Sequence, residues 1–91
     1  MPPSILTQEE IERLQIQTLR RNVDDCDEQI IQLLARRKSF TDIIQQKKRE
    51  IGDLPTDPAR EAAILSKLPS PWLRGVFAAI FAASKQGYTG I

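Results

Sequence analysis

The sequence predicts an all-helical protein with one very long helix and two short ones. Between Gln8 and Ile51 there is neither proline nor glycine, the two residues least compatible with a helix interior. Prolines at 55 and at 69–71 then divide the rest of the chain into two short segments. A length of 91 residues predicts a single domain.

The long helix has a recognisable start and stop. Thr7 is followed three residues later by Glu10, the spacing of a capping box. Gly52 marks the end. A helix over residues 8–51 would be about 65 Å long at ~1.5 Å per residue. The remainder of so short a chain is too small to cover it, so this helix should pack on something else.

Apolar residues recur along this helix in alternating steps of three and four, which is typical of a helix that packs on a partner helix. Arg37 occupies a position of the same seam. Burying a guanidinium without a partner is costly, so Arg37 should face an acid, a ligand or water. A structural ion pair and a ligand site both satisfy this requirement. The seam comprises Ile16, Leu19, Val23, Cys26, Ile30, Leu33, Phe40, Ile44 and Ile51.

Each short helix is predicted to begin with a capping residue followed by a proline at the first helical position. Asp57 and Pro58 open the second helix, and Ser70 and Pro71 open the third. The predicted ranges are about 57–68 and 71–86.

The composition excludes several classes of protein. A net charge of +1 provides no global field for nucleic acid or an anionic membrane, and no apolar run approaches the ~18 residues of a membrane span. With no histidine and the single cysteine Cys26, an intrachain disulfide, a His/Cys metal site and Ser-His or Cys-His catalysis are excluded. The first ten residues carry no secretory signal, so we expect a cytoplasmic protein that needs no cofactor.

Two further cations can be related to Arg37 by helix geometry. Lys48 lies eleven residues later, so it projects from nearly the same face, about 16 Å further along the axis. Arg20 is about 25 Å from Arg37 along the axis and is rotated by roughly 100°. Arg20 can therefore reach the same ligand only from a second chain that runs antiparallel. Solvated surface charges are the simpler interpretation of both residues.

The short helices add two acids and a hydroxyl. Asp57 and Glu61 lie four residues apart, where they either favour the helix dipole or accept a hydrogen bond from a ligand hydroxyl. Ser84 is in line with Phe77 and Ile80, a position where a small polar residue usually packs or bonds back to the helix. Taken together, the residues predict a cavity with several cations, two acids, one hydroxyl and no obvious nucleophile.

The order of these features resembles the all-helical chorismate mutases over about residues 16–86. The Asp-Pro-x-Arg-Glu run, at its distance from the Arg and Lys positions, is the most specific part of the resemblance. The resemblance implies an intertwined antiparallel homodimer with two active sites, each completed by the first arginine of the other chain. The matching stretches are Leu19-Arg20 with Val23 and Asp27, Leu33-Leu34-Ala35-Arg36-Arg37, Lys48, Asp57-Pro58-Ala59-Arg60-Glu61 with Ile64-Leu65, and Phe77, Ile80 and Ser84.

The resemblance implies conversion of chorismate to prephenate in phenylalanine and tyrosine biosynthesis. Arg37 and the partner's Arg20 would bind the two carboxylates of chorismate. Lys48 would donate a hydrogen bond to the ether oxygen and to one carboxylate. These residues would thus hold the substrate dianion and stabilise the charge that develops on the oxygen.

The resemblance also assigns the acids and the hydroxyl. Asp57, through its backbone, and Glu61 would hold the ring hydroxyl. Ser84 would contact a carboxylate, and Arg60 would support the charge balance of the site.

The end of the third helix departs from the family pattern. Many members carry a glutamine four residues after the serine, and its side chain contacts the ether oxygen. Tyr88 holds that position here, while Gln86 lies two residues early and on the wrong face of a regular helix. Either Tyr88 donates its hydroxyl, or the helix end rearranges, or the site is incomplete in the isolated chain. In the last case a partner, such as another enzyme of the pathway, would order residues 87–91.

Two other functions fit the same residues. One is a relative of the same fold that acts on another substrate, such as an isochorismate lyase or an aminodeoxychorismate mutase. Glu61 and the intact Asp-Pro-x-Arg-Glu run favour a ring hydroxyl and hence chorismate. The other is a weakly active or non-catalytic regulatory module that needs a pathway partner, in which Arg37 and Lys48 form ion pairs at an interface.

Overall fold

The computed structural model of the protein describes residues 5–85, and in this part of the chain every regular element is a helix. The predicted all-helical class is confirmed. Contacts within the chain define two units, Met1–Arg36 and Arg37–Ile91, whose boundary falls within the first helix. The helices are α1 (Gln8–Ile51), α2 (Pro58–Ser66) and α3 (Pro71–Ser84).

The capping box predicted for the start of α1 is present. Thr7 Oγ1 accepts a hydrogen bond from the Glu10 N–H at 3.1 Å, and Glu10 Oε1 accepts one from the Thr7 N–H at 3.4 Å. These reciprocal bonds satisfy two backbone donors that the helix itself leaves without partners.

The end of α1 is a Schellman motif around Gly52. The Gly52 N–H donates to the Arg49 carbonyl at 3.3 Å, and the Asp53 N–H donates to the Lys48 carbonyl at 2.9 Å. Gly52 has a φ of 70°, in the left-handed region that a side chain disfavours. Gly52 therefore determines where α1 ends and where the turn toward α2 begins.

Two glycine-to-alanine substitutions should change stability in opposite directions. Gly52→Ala should lower the free energy of unfolding by about 1 kcal/mol, because alanine must adopt a positive φ. Gly75→Ala should raise it by roughly 0.5–1 kcal/mol, because Gly75 lies inside α3 and a Cβ there meets no described atom within 4 Å beyond its chain neighbours and its own helix backbone. Urea denaturation followed by circular dichroism measures both changes, and equal shifts in the two variants would contradict this account.

The two short helices begin at the predicted caps. Asp57 Oδ1 accepts a hydrogen bond from the Arg60 N–H at 3.1 Å, and Ser70 Oγ accepts one from the Leu73 N–H at 3.4 Å. A proline occupies the start of each helix. α2 ends at Ser66, two residues before its expected end, and the expected end of α3 at residue 86 lies outside the described residues.

The second unit has a small core in which α2 and α3 pack together. Phe81 is the one apolar residue of the described chain that is buried, with 6% of its surface exposed. Its ring meets that of Phe77 edge-to-face, with 6.1 Å between the centroids. Gln45 is also buried, and its Nε2 donates to the Pro55 carbonyl at 2.8 Å. This bond joins α1 to the turn that leads into α2.

The apolar seam of α1 is exposed to solvent in the single chain. In the first unit, Leu19 and Leu33 are 61% and 62% exposed, and Val23 and Ile30 are exposed to a similar degree. Large exposed apolar patches are commonly surfaces for partners or ligands. Within residues 5–85, none of the helices combines the length and the apolar character that crossing a bilayer requires.

Candidate active site

A cavity of about 290 Å³ opens in the second unit, and all three helices contribute to its lining. Its volume is close to the lower end of the range of small-molecule sites. The predicted site residues on its wall are Arg37, Lys48, Asp57, Glu61 and Ser84.

Helix periodicity explains the contribution of α1. Five residues of α1 line the cavity, and their spacing places them on one face of the helix. They are Arg37, Thr41, Ile44, Gln45 and Lys48. Arg37 and Lys48, which were expected to share a face of this helix, therefore lie on the same wall of the cavity.

Among the described residues, Arg37 is held by side chains of α3 and not by an acid. Its Nη1 donates to Ser84 Oγ at 2.9 Å, and Ser84 Oγ in turn donates to the Ile80 carbonyl at 2.7 Å. The guanidinium carbon lies 5.5 Å from the centroid of the Phe81 ring, within cation–π distance. These contacts fix the orientation of the guanidinium, and no acid of residues 5–85 serves as its counter-ion.

The cations on the wall outnumber the acids. Arg37, Lys48 and Arg60 have no carboxylate within 4.0 Å among residues 5–85, whereas Lys85 is paired with Glu61. Among the described residues, four cations and two carboxylates thus line the cavity, an excess of two positive charges. Such a cavity suits a small dianion, because arginine and lysine are the usual donors to carboxylates.

The two acids are engaged differently. The Asp57 side chain caps α2 through its bond to the Arg60 N–H, so this side chain already has a partner. Glu61 Oε2 accepts a hydrogen bond from Lys85 Nζ at 2.7 Å. No hydrogen bond among the described residues involves Glu61 Oε1. This oxygen is therefore available to a donor group of a ligand.

The sequence interpretation missed Lys85, Gln45 and Thr41 as lining residues. Lys85 follows Phe77 and Phe81 at intervals of four residues, so helix spacing alone could have placed it on the same face. Thr41 and Gln45 follow Arg37 at the same interval. The hydrogen-bond partners of Lys85 and Gln45 depend on how the helices and the turn pack together, and residue spacing does not predict that packing.

The remaining predicted site residues are not among the described residues of this wall. Arg20 lies on α1 in the first unit, where it is exposed, and is not a lining residue of the cavity. Tyr88 and Gln86 lie outside the described residues.

Comparison with known families identifies the chain. The sequence model of the family described as chorismate mutase type II matches residues 19–86, about three quarters of the chain. The match spans α2, α3 and most of α1, so it includes every residue described on the cavity wall. Searches of curated proteins and of solved structures gave no match.

Proposed function

Because the chain belongs to the chorismate mutase type II family, we propose that it rearranges chorismate to prephenate. The observation that carries this proposal is the cavity in which Arg37 is oriented by Ser84 but has no acidic partner among the described residues. Chorismate carries two carboxylates, which match the two excess positive charges of the wall. We place the reaction in phenylalanine and tyrosine biosynthesis in the cytoplasm, as part of the same proposal.

The reaction suits a site without a nucleophile. The rearrangement is intramolecular, so one C–O bond breaks and one C–C bond forms without proton transfer. The protein must hold a flexible dianion in a chair-like shape and stabilise the negative charge that grows on the ether oxygen. An acceleration of about 10⁶-fold requires roughly 8 kcal/mol. Orientation of the substrate and a preorganised cation at the oxygen are each large enough to supply much of this.

The two α1 cations have distinct roles in the proposal. Arg37, whose planar guanidinium is fixed by Ser84 and Phe81, binds a carboxylate. Lys48 is half-buried on the same wall and donates to the ether oxygen and to one carboxylate. A lysine suits this position, because its ammonium is a compact charge on a flexible stem.

The start of α2 holds the ring hydroxyl. Glu61 Oε1 accepts the hydroxyl hydrogen bond, since Oε2 is occupied by Lys85. Asp57 contributes through its backbone, because its side chain caps the helix. Arg60 lies on the same wall and supports the charge balance.

The second carboxylate is bound by the partner's Arg20 in an antiparallel homodimer. The exposed seam of α1 supports this part of the proposal, because small domains bury a smaller share of their surface and often gain stability by associating. Arg20 follows Leu19 directly, and Leu19 belongs to that seam. A second chain that covers the seam would therefore have its own Arg20 beside the shared interface.

Product analysis tests the reaction against its alternatives. The purified chain is incubated separately with chorismate, isochorismate and aminodeoxychorismate, and the products are identified by NMR. We expect prephenate from chorismate as the fastest reaction. Faster release of pyruvate from isochorismate would instead indicate a lyase. Preferred rearrangement of the amino compound would indicate an aminodeoxychorismate mutase, and no product from any of the three would indicate a non-catalytic module.

A further inference from the structure

Lys85 forms the one ion pair that joins two different helical segments within residues 5–85. Its Nζ lies 2.7 Å from Glu61 Oε2, so the pair connects the C-cap of α3 with α2. The other two ion pairs of the described residues join neighbouring turns of α1. The Lys85 and Glu61 side chains are 38% and 25% exposed, so water screens this pair less than it screens the pairs on α1.

We propose that Lys85 determines which ring substituent the site accepts beside Glu61. With Lys85 in place, the site selects a neutral hydroxyl over a protonated amine at that ring carbon. This inference rests on the proposed function. A carboxylate alone would bind an ammonium more strongly than a hydroxyl, because the ammonium carries a charge. With Lys85 already on Oε2, an ammonium at Oε1 would become a second cation on one carboxylate.

Distance determines the size of this effect. Two donors that bind the two oxygens of one carboxylate lie about 5 Å apart, well inside the range over which charges interact in a partly buried site. A hydroxyl at Oε1 carries no net charge, so Lys85 does not repel it. Lys85 therefore disfavours the amine without opposing the hydroxyl.

The other charged groups of the cavity do not replace Lys85. Arg37, Lys48 and Arg60 add to the positive character of the wall, but none of them lies within 4.0 Å of the Glu61 carboxylate. The Asp57 side chain is occupied by the α2 cap and provides no second free acid. Lys85 is thus the cation in direct contact with the Glu61 carboxylate, which would bind the ring substituent.

A purely structural role for Lys85 predicts a different result. If the ion pair only held α3 against α2, its loss would loosen the cavity for every substrate to a similar extent. The ratio of the kcat/KM values for two substrates that differ only in the hydroxyl or amine would then stay constant. This ratio is therefore the informative measurement.

The experiment compares chorismate with aminodeoxychorismate, in which an amine replaces the ring hydroxyl. Both kcat/KM values are measured for the wild-type chain and for Lys85→Met, Lys85→Arg and Lys67→Met. We expect Lys85→Met to shift the ratio about tenfold toward the amine. Lys85→Arg should retain the wild-type ratio, since it keeps the charge. Lys67 is exposed and outside the cavity, so Lys67→Met removes an equal charge without changing the ratio.

An unchanged ratio in Lys85→Met would overturn the inference and leave the proposed function intact if the wild-type chain converts chorismate. Circular dichroism checks that the variants fold, and Lys85→Gln replaces Lys85→Met if the latter does not. If the wild-type chain shows no turnover, the ratio of the two dissociation constants from titration calorimetry provides the same comparison. Failure of both compounds to bind would overturn the inference together with the proposed function.

Discussion

Arg37→Ala is expected to lower kcat/KM for chorismate by about 10³-fold while the protein remains folded. The guanidinium is oriented by Ser84 Oγ at 2.9 Å and by the Phe81 ring, and it has no carboxylate partner among residues 5–85. Removal of a preorganised donor of this kind removes stabilisation of the bound dianion and of the transition state. Steady-state kinetics of the purified variant measure the effect.

Stability measurements distinguish a catalytic role of Arg37 from a purely structural one. Loss of the Ser84 hydrogen bond and of the Phe81 contact should lower the free energy of unfolding by only about 1–2 kcal/mol. Arg49→Ala is the matched control, because Arg49 is an exposed arginine of the same helix that does not line the cavity. If Arg37→Ala unfolds the chain in buffer, or if both variants lose activity equally, the role proposed for Arg37 is wrong.

Mixing two inactive variants should restore activity. Arg20→Ala and Lys48→Ala are each expected to lose most turnover, because every site in the proposed dimer needs Lys48 from one chain and the partner's Arg20. A heterodimer of the two variants has one site with both residues intact and one site with neither. After complete subunit exchange, about a quarter of wild-type activity should return, since half of the dimers are mixed and each has one working site.

The exchange itself needs an independent check. Mass spectrometry of the mixture under native conditions should show the mixed dimer as the main species. Arg21→Ala provides a matched control in place of Arg20→Ala, because Arg21 is the adjacent exposed arginine and has no assigned role. A verified mixed dimer without recovered activity would contradict a site shared between chains.

The features that the sequence predicted most accurately are the helix caps, which depend on interactions between neighbouring residues. The Thr7–Glu10 box, the Asp57 and Ser70 caps and the Gly52 stop all depend on residues within five positions of one another, and all are present. The sharing of one wall by Arg37 and Lys48 follows from the helix repeat alone.

The end of α2 shows a limit of local prediction. The Lys67 and Leu68 N–H groups donate to the Ile64 and Leu65 carbonyls, three residues earlier, at 3.1 and 3.2 Å. This tighter turn replaces the last part of the expected helix. Pro69 follows directly, and a residue that precedes proline is disfavoured in the helical conformation.

Contacts between distant segments could not be predicted. The Lys85–Glu61 pair joins residues 24 positions apart, and the Arg37–Ser84 bond joins residues 47 positions apart. Both depend on the packing of α3 in the second unit, which helix periodicity leaves undetermined. Helix spacing therefore predicted that Arg37 and Lys48 lie on one face, but not that Ser84 would orient Arg37 or that Lys85 would line the cavity and pair with Glu61.

The most direct measurement is the turnover of chorismate by the wild-type chain. Loss of chorismate absorbance is followed at micromolar protein, alone and with candidate enzymes of the same pathway added, and prephenate is quantified at the end. We predict catalytic conversion, with one prephenate formed for each chorismate consumed. A rate equal to the uncatalysed reaction under all of these conditions would contradict the proposal that this cavity is a chorismate mutase active site.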